Sequence, residues 1–171
     1  MKYLALSFLM LACSGNNKSG QAESIAAVPA LDQQKAGGEA AKGLPNFIMT
    51  TLHGVPLQTK ALQGKNILIF YNPDCDHCQR QAQSIRKQID AFSGWTIYFI
   101  AASGDTQSRT FAMTYDLHEQ KNVFFATAGI PEVVREMGSI GTPSIFIYNE
   151  AGKLVRNFDG ETPVEDILKV M

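Results

Sequence analysis

Cys75 and Cys78 stand two residues apart in the run Asn72-Pro73-Asp74-Cys75-Asp76-His77-Cys78-Gln79-Arg80-Gln81. A pair at this spacing can hold a metal, staple a turn, or exchange electrons with another disulfide. Structural zinc needs four ligands, commonly from a second Cys or His pair. His53 and His118 lie in unrelated segments and no second CxxC exists, so no metal is expected. A staple across so short a loop constrains the unfolded chain weakly, below the ~3 kcal/mol estimated for 15 residues. Electron exchange is the stronger reading. It asks for one accessible, ionisable sulfur and a second held close behind it.

The flanking residues supply a place for such a pair. Asn66 to Tyr71 (NILIFY) is a continuous apolar run, the pattern of a strand covered on both faces. After it, apolar or small residues fall at Cys75, Cys78, Ala82, Ile85, Ile89 and Phe92, in steps of three and four. That spacing predicts an amphipathic helix with both cysteines on its core-facing stripe, ended by Ser93-Gly94. Cys75 then opens a helix, where unpaired N–H groups and the macrodipole favour a thiolate. Cys78, one turn further in, is shielded and resolves a mixed disulfide formed at Cys75. Between them, a protonated His77 favours the thiolate and an ionised Asp76 opposes it, so these two residues tune the pair.

The rest of the chain alternates strands and helices. Asn46–Leu52 and Val55–Thr59 flank a His53-Gly54 turn. Trp95–Ala102 reads as a second covered strand, Asp105 to about His118 as a helix, Val123–Ala126 as a short strand and Pro131–Met137 as a short helix. Pro143–Tyr148 and Lys153–Phe158 flank an Asn149–Gly152 turn, and Pro163–Met171 closes as a helix. Such an order implies a central sheet with helices on its faces.

The first 43 residues differ in character. Tyr3–Leu11 (YLALSFLML) is apolar but too short to span a bilayer, and it stops at Ala12-Cys13-Ser14-Gly15. This resembles a bacterial lipoprotein signal peptide over residues 1–12, with Cys13 lipidated. The competing reading is a short buried N-terminal helix. Residues 14 to 43 are rich in Ser, Gly, Asn, Gln and Ala, a composition suited to a tether and not to a core. The expected division is therefore 1–12 signal peptide, 13–43 lipidated Cys and tether, and 44–171 folded domain. It also accounts for three cysteines in an exported protein, leaving Cys75 and Cys78 as a pair in an oxidising compartment.

With a formal net charge of −1, there is no basic excess to neutralise phosphates, so nucleic acid is not an expected partner. A hydrophobic fraction of 45% is ample for one soluble core.

Several of these features together resemble the thioredoxin fold: strand, CxxC, helix, strand, helix, then Ile140-Gly141-Thr142-Pro143 opening a strand that hairpins into another. The Leu44–Lys65 stretch, with its Pro-x-Phe start, Gly-centred hairpin and Leu-x-Gly-Lys, is similar to membrane-anchored thiol-disulfide oxidoreductases of the TlpA/ResA type. The resemblance implies an α/β domain with a thioredoxin-like central mixed sheet flanked by helices and an N-terminal β-hairpin extension. It implies Cys75 and Cys78 as catalytic residues, with Pro143 cis and set against them. Thr142 and Pro143 then border the substrate groove; Tyr71 is a further candidate for its edge, with packing in the core or at its rim the favoured reading.

No cofactor is expected beyond the redox-active Cys75–Cys78 disulfide. Expected partners are client proteins with disulfides, an upstream thiol donor, and the membrane through the lipid, with the domain facing the periplasm or cell surface. Reduction of clients is the favoured direction. Isomerase-like activity is the alternative suggested by His77, and a non-catalytic binding lipoprotein is a third reading.

The chain departs from thioredoxin at Ile69, which occupies the position of a buried acid, and in its polar approach Tyr71-Asn72-Pro73-Asp74. Peroxiredoxin chemistry, on a related fold, needs a threonine shortly before the first cysteine, and Pro73 and Asp74 supply none. Arg80, Arg86 and Lys87 lie off the apolar stripe and read as a wet face, Arg80 with a possible part in steering an acidic partner. Trp95 reads as a packing anchor, His53 as a turn residue and His118 as a solvated helix end. Gln81 and Glu161 receive no role.

Overall fold

A computed structural model describes residues 43–102 and 104–171 of the chain. The expected signal peptide, Cys13 and nearly all of the expected tether fall outside these residues. Among the described residues, no helix is long and apolar enough to cross a membrane.

Seven strands form one mixed sheet. They are β1 (Ile48–Thr51), β2 (Pro56–Gln58), β3 (Lys65–Phe70), β4 (Trp95–Ala101), β5 (Val123–Ala128), β6 (Ser144–Tyr148) and β7 (Leu154–Asp159), in the order β2-β1-β5-β4-β3-β6-β7. β3, β4 and β5 run parallel, and β6 returns antiparallel to β3. β1 and β2 form an antiparallel hairpin that joins the sheet through β5. Among the described residues, four α-helices flank this sheet: α1 (Asp76–Lys87), α2 (Asp105–Thr114), α3 (Ile130–Met137) and α4 (Val164–Leu168).

Alternation along the strands sorts the core into two layers. Ile67, Ile69, Ile97, Phe99, Phe125, Ile145 and Ile147 face α1, α2 and α4. Leu68, Phe70, Tyr98, Ile100, Ala126, Phe146 and Tyr148 face Val133 and Met137 of α3, together with Phe47 and Met49. Every residue of β3 after Lys65 is buried, as its unbroken apolar run requires.

Three helices end earlier than the sequence suggests, α4 at Leu168 and not at Met171. α1 stops at Lys87, and Gln88 turns the chain (φ −120°, ψ 26°) into a separate 3-10 turn, Ile89–Phe92. The apolar stripe survives this tightening, since Ile89 and Phe92 stay in the core. α2 stops at Thr114 and not near His118. There Asp116 adopts φ 52°, its N–H bonds to Met113 O, and the Leu117 N–H bonds to Ala112 O at 2.9 Å. This is a Schellman-type ending with aspartate in the usual glycine position. Arg86 of α1 binds the Asp116 side chain and its carbonyl, and Leu117 is fully buried.

The segment leading into β1 is fixed by one hydroxyl. Buried Thr59 accepts the Phe47 N–H at 3.1 Å and donates to Pro45 O at 2.7 Å. At the far edge, the Leu44 N–H bonds to Gly152 O in the β6–β7 turn, and Gly43 bridges to Lys153. Because Tyr148 pairs with Asn66, this turn lies at the start of β3, the end of the sheet away from Cys75.

Thr59→Val removes the hydroxyl at nearly constant volume and leaves Phe47 N–H and Pro45 O without it. We expect a loss of about 1–3 kcal/mol in urea unfolding, with the cysteines' reactivity unchanged. An unaltered midpoint would show that the segment before β1 contributes nothing to stability.

Candidate active site

The turn before α1 is built by its own polar residues. Asn72 Oδ1 accepts the Asp74 N–H at 3.0 Å, and the Cys75 N–H bonds to Asn72 O at 3.1 Å. Gln79 reaches back from α1 to Pro73 O at 3.1 Å. Cys75 is thereby set in extended conformation (φ −92°, ψ 118°) as the N-cap of α1. The first intrahelical bond is Gln79 N–H to Cys75 O, so the preceding N–H groups of the helix are not used within it.

The pairing of β3 with β6 delivers the second half of the site. Phe70 sits opposite Ser144, so the residues just after one strand meet those just before the other. The Thr142–Pro143 peptide is cis, and Thr142 O lies 3.7 Å from Cys75 Sγ. Thr142 is exposed while Pro143 is buried.

The two sulfurs have opposite surroundings. Cys75 is partly exposed; Cys78 is 1% exposed. What burial Cys75 has opposes its ionisation. The Cys78 thiol, the N–H groups of Cys78 and His77, and the Thr142 side chain outweigh that and hold its pKa below the ordinary thiol value. No N–H reaches hydrogen-bonding geometry with the sulfur, so their effect is that of nearby dipoles. Burial pushes the Cys78 thiol up to about 12, and the neighbouring Cys75 adds to the rise. The Asn72 N–H, 3.5 Å from Cys78 Sγ, offsets part of it. Both cysteines are free thiols here.

His77 and Asp76 are both exposed in the first turn of α1. The His77 ring does not stand alone: Nδ1 lies 2.9 Å from Glu161 Oε2 and 2.7 Å from Arg80 Nη2. Arg80 also donates to Glu161 from Nε at 3.0 Å and from Nη2 at 2.7 Å. Arg80 is therefore engaged within the molecule and not a free charge for an acidic partner. Glu161 held no role in the sequence reading, and neither did Gln81, which is buried and accepts the Thr162 N–H at 2.7 Å. Hairpin geometry is the signal that could have found Glu161. A β7 strand that ends opposite Ser144 must return residues 160–162 to the Cys75 end.

Tyr71 takes its packing reading and not the groove-edge one: it touches the groove, but the residue is 3% exposed and its ring packs against Phe99, Phe111 and Phe125. It belongs to the core, because it falls on the α1-facing side of its strand. Burial raises its hydroxyl to about 12, with nearby Ser108 partly offsetting the rise. The two hydroxyls do not reach hydrogen-bonding geometry with each other. The groove itself holds about 410 Å³ and runs past Pro73 and Thr142 between apolar walls from Ile130, Val133, Val134 and Ile140. Trp95 is buried in the core, whereas His53 and His118 are exposed away from the sulfurs.

A family model described as a thioredoxin-like domain matches residues 56–171. The chain belongs to the thioredoxin-like family. Among curated relatives of this thioredoxin-like chain is the thiol-disulfide oxidoreductase ResA of Bacillus thuringiensis subsp. konkukian. It is 25% identical over 133 residues, covering 75% of each protein. ResA of Bacillus anthracis is 25% identical over 130 residues, covering 74% of this chain and 73% of that one. Two solved structures share the thioredoxin-like fold. A secreted Mycobacterium tuberculosis disulfide oxidoreductase, homologous to E. coli DsbE, aligns with a TM-score of 0.59 at 21% identity, covering 72% of this chain and 92% of that one. StoA from Bacillus subtilis aligns at 0.54 with 18% identity, covering 76% and 97%.

The opposed surroundings of the sulfurs predict selective alkylation. Cys75 should react with iodoacetamide with a midpoint below about pH 8.5, the usual thiol value, while Cys78 stays largely unmodified through neutral pH. Equal rates at the two cysteines would contradict this assignment of thiolate and thiol.

Proposed function

We propose that this protein is a thiol-disulfide oxidoreductase that reduces disulfides in client proteins outside the cytoplasm. One observation carries the reading: an accessible sulfur with a lowered pKa lies 3.7 Å from the backbone carbonyl of the exposed residue Thr142, with a buried thiol behind it.

The Cys75 thiolate attacks one sulfur of a client disulfide. The Cys75–client bond forms as the client S–S bond breaks, and the departing client thiolate takes a proton from solvent. The Thr142 carbonyl and the exposed edge around it align the client as a short added strand. Cys78 begins this step protonated, held so by burial and by the neighbouring Cys75 thiolate. Once Cys75 is bonded to the client its negative charge is gone, and that part of the barrier to ionising Cys78 disappears. Cys78 then loses its proton and attacks Cys75, releasing the second client thiolate. Two electrons have moved to the client, and Cys75–Cys78 is the oxidised product. An upstream dithiol donor restores the pair, so no further cofactor is invoked.

Export and lipid attachment at Cys13 complete the proposal. They rest on the apolar run Tyr3–Leu11 ending at Ala12-Cys13 and on the tether-like composition that follows. Direction of transfer rests on the reduction potential. A value near thioredoxin's, about −270 mV, supports reduction, and one near about −180 mV supports the isomerase reading that His77 suggests.

The protein should accelerate dithiothreitol-driven reduction of insulin, and Cys75→Ser should abolish that; undiminished activity in the variant would refute the mechanism. Cys78→Ser should accumulate mixed disulfides with clients, visible as bands that vanish on reduction. Separately, labelled palmitate should enter the wild-type chain expressed in a bacterium and not Cys13→Ala. Equal labelling would remove the lipid anchor from the proposal.

A further inference from the structure

The segment that follows β7 touches both halves of the site, one residue after another. The Gly160 N–H bonds to Pro143 O at 2.8 Å, on the loop that faces Cys75. The Thr162 N–H bonds to the buried Gln81 side chain of α1 at 2.7 Å. Glu161 lies between these two anchors and binds His77 and Arg80, both also on α1. His77, Glu161, Thr142 and Thr162 line one open groove, separate from the apolar one beside Ile130 and sharing only Thr142 with it.

The cluster holds two cationic or potentially cationic groups on the first turns of α1, the helix that Cys75 caps. Arg80 lies within the electrostatic reach of both Cys75 and Asp76. Glu161 carries the compensating charge, and Arg80 in turn holds its carboxyl below the usual range, with His77 adding to that. The His77 Nδ1 also has a partner in either protonation state. Unprotonated, it accepts from Arg80 Nη2; protonated, it donates to Glu161 Oε2. The imidazole therefore keeps its place whether or not it is charged.

We propose that Glu161 is a positioning residue for the redox couple: it gathers Arg80 and His77 into one cluster, and so withholds the Arg80 charge, and that of His77 when it carries one, from the Cys75 thiolate. This deepens the oxidoreductase reading and rests on it. A thiolate is stabilised by nearby cations, and a stabilised thiolate makes the disulfide more oxidising. Glu161 accordingly keeps the Cys75–Cys78 couple more reducing, the direction a reductase needs.

The test is a glutathione equilibrium on the full-length chain in detergent, read by mass spectrometry of the peptide that holds both cysteines. Each turn converts two glutathione thiols to one glutathione disulfide and the Cys75–Cys78 disulfide to a dithiol, balanced at two electrons and two protons. Glu161→Gln should shift this equilibrium toward the dithiol by about threefold to tenfold, where tenfold is about 30 mV. It should also move the midpoint of Cys75 alkylation to lower pH. The side chains are at the surface, so the fold is expected to stand, and thermal unfolding of the variant checks this.

The decisive control is a background carrying His77→Asn and Arg80→Gln, in which Glu161→Gln should shift the equilibrium by less than about twofold. An undiminished shift there would mean that Glu161 acts by its own charge, and would overturn the positioning role. No shift in the otherwise wild-type chain would overturn it as well. Those failures leave the oxidoreductase reading intact. A wild-type chain whose cysteines never exchange with glutathione would sink both.

Discussion

The site depends on the register in which β6 returns beside β3. Phe70 opposite Ser144 is a statement about two strands, yet it decides where every group around the sulfurs lies. A slip of one residue would exchange the side chains that fill the two core layers, since side chains alternate along each strand. The register is therefore enforced by the core: Ile67, Ile69, Ile145 and Ile147 on one face, Leu68, Phe70, Phe146 and Tyr148 on the other. Packing energy spread over these side chains fixes the geometry of a few polar atoms at the strand ends.

From that geometry the two sulfurs inherit unlike electrostatics. Position on the same helix separates them: Cys75 caps it, Cys78 lies one turn inside. The cap residue meets N–H dipoles and solvent, whereas the inner residue meets aromatic and aliphatic side chains of the α1-facing core. No acid stands at Ile69 to draw a proton from Cys78, so relief comes from chemistry at Cys75 itself. Consumption of one charge permits the formation of the next. In the proposed mechanism, the order of the two attacks thus follows from burial and not from a separate base.

Much of this was legible in the sequence, for specific reasons. Continuous apolar runs marked β3 and β4 because both faces are covered, and the three-four spacing from Cys78 to Phe92 marked α1 because its stripe is simple. The Gly-Thr-Pro before β6 was visible as a motif. What escaped were features that depend on tertiary neighbours. The end of α2 was hidden because aspartate, steadied by Arg86, does what glycine usually does. For Tyr71 the sequence leaves core and rim both open, and side-chain parity sends it inward. Glu161 and Gln81 meet their partners about eighty positions away, and neither composition nor periodicity carries that information.

The first described residues join the domain at the β6–β7 turn, and β3 separates that pole from Cys75. Six residues at about 3.3 Å each make the separation on the order of 20 Å. A reporter domain joined directly before Gly43 would therefore sit at the pole opposite the thiols, and incoming proteins would meet an unobstructed front.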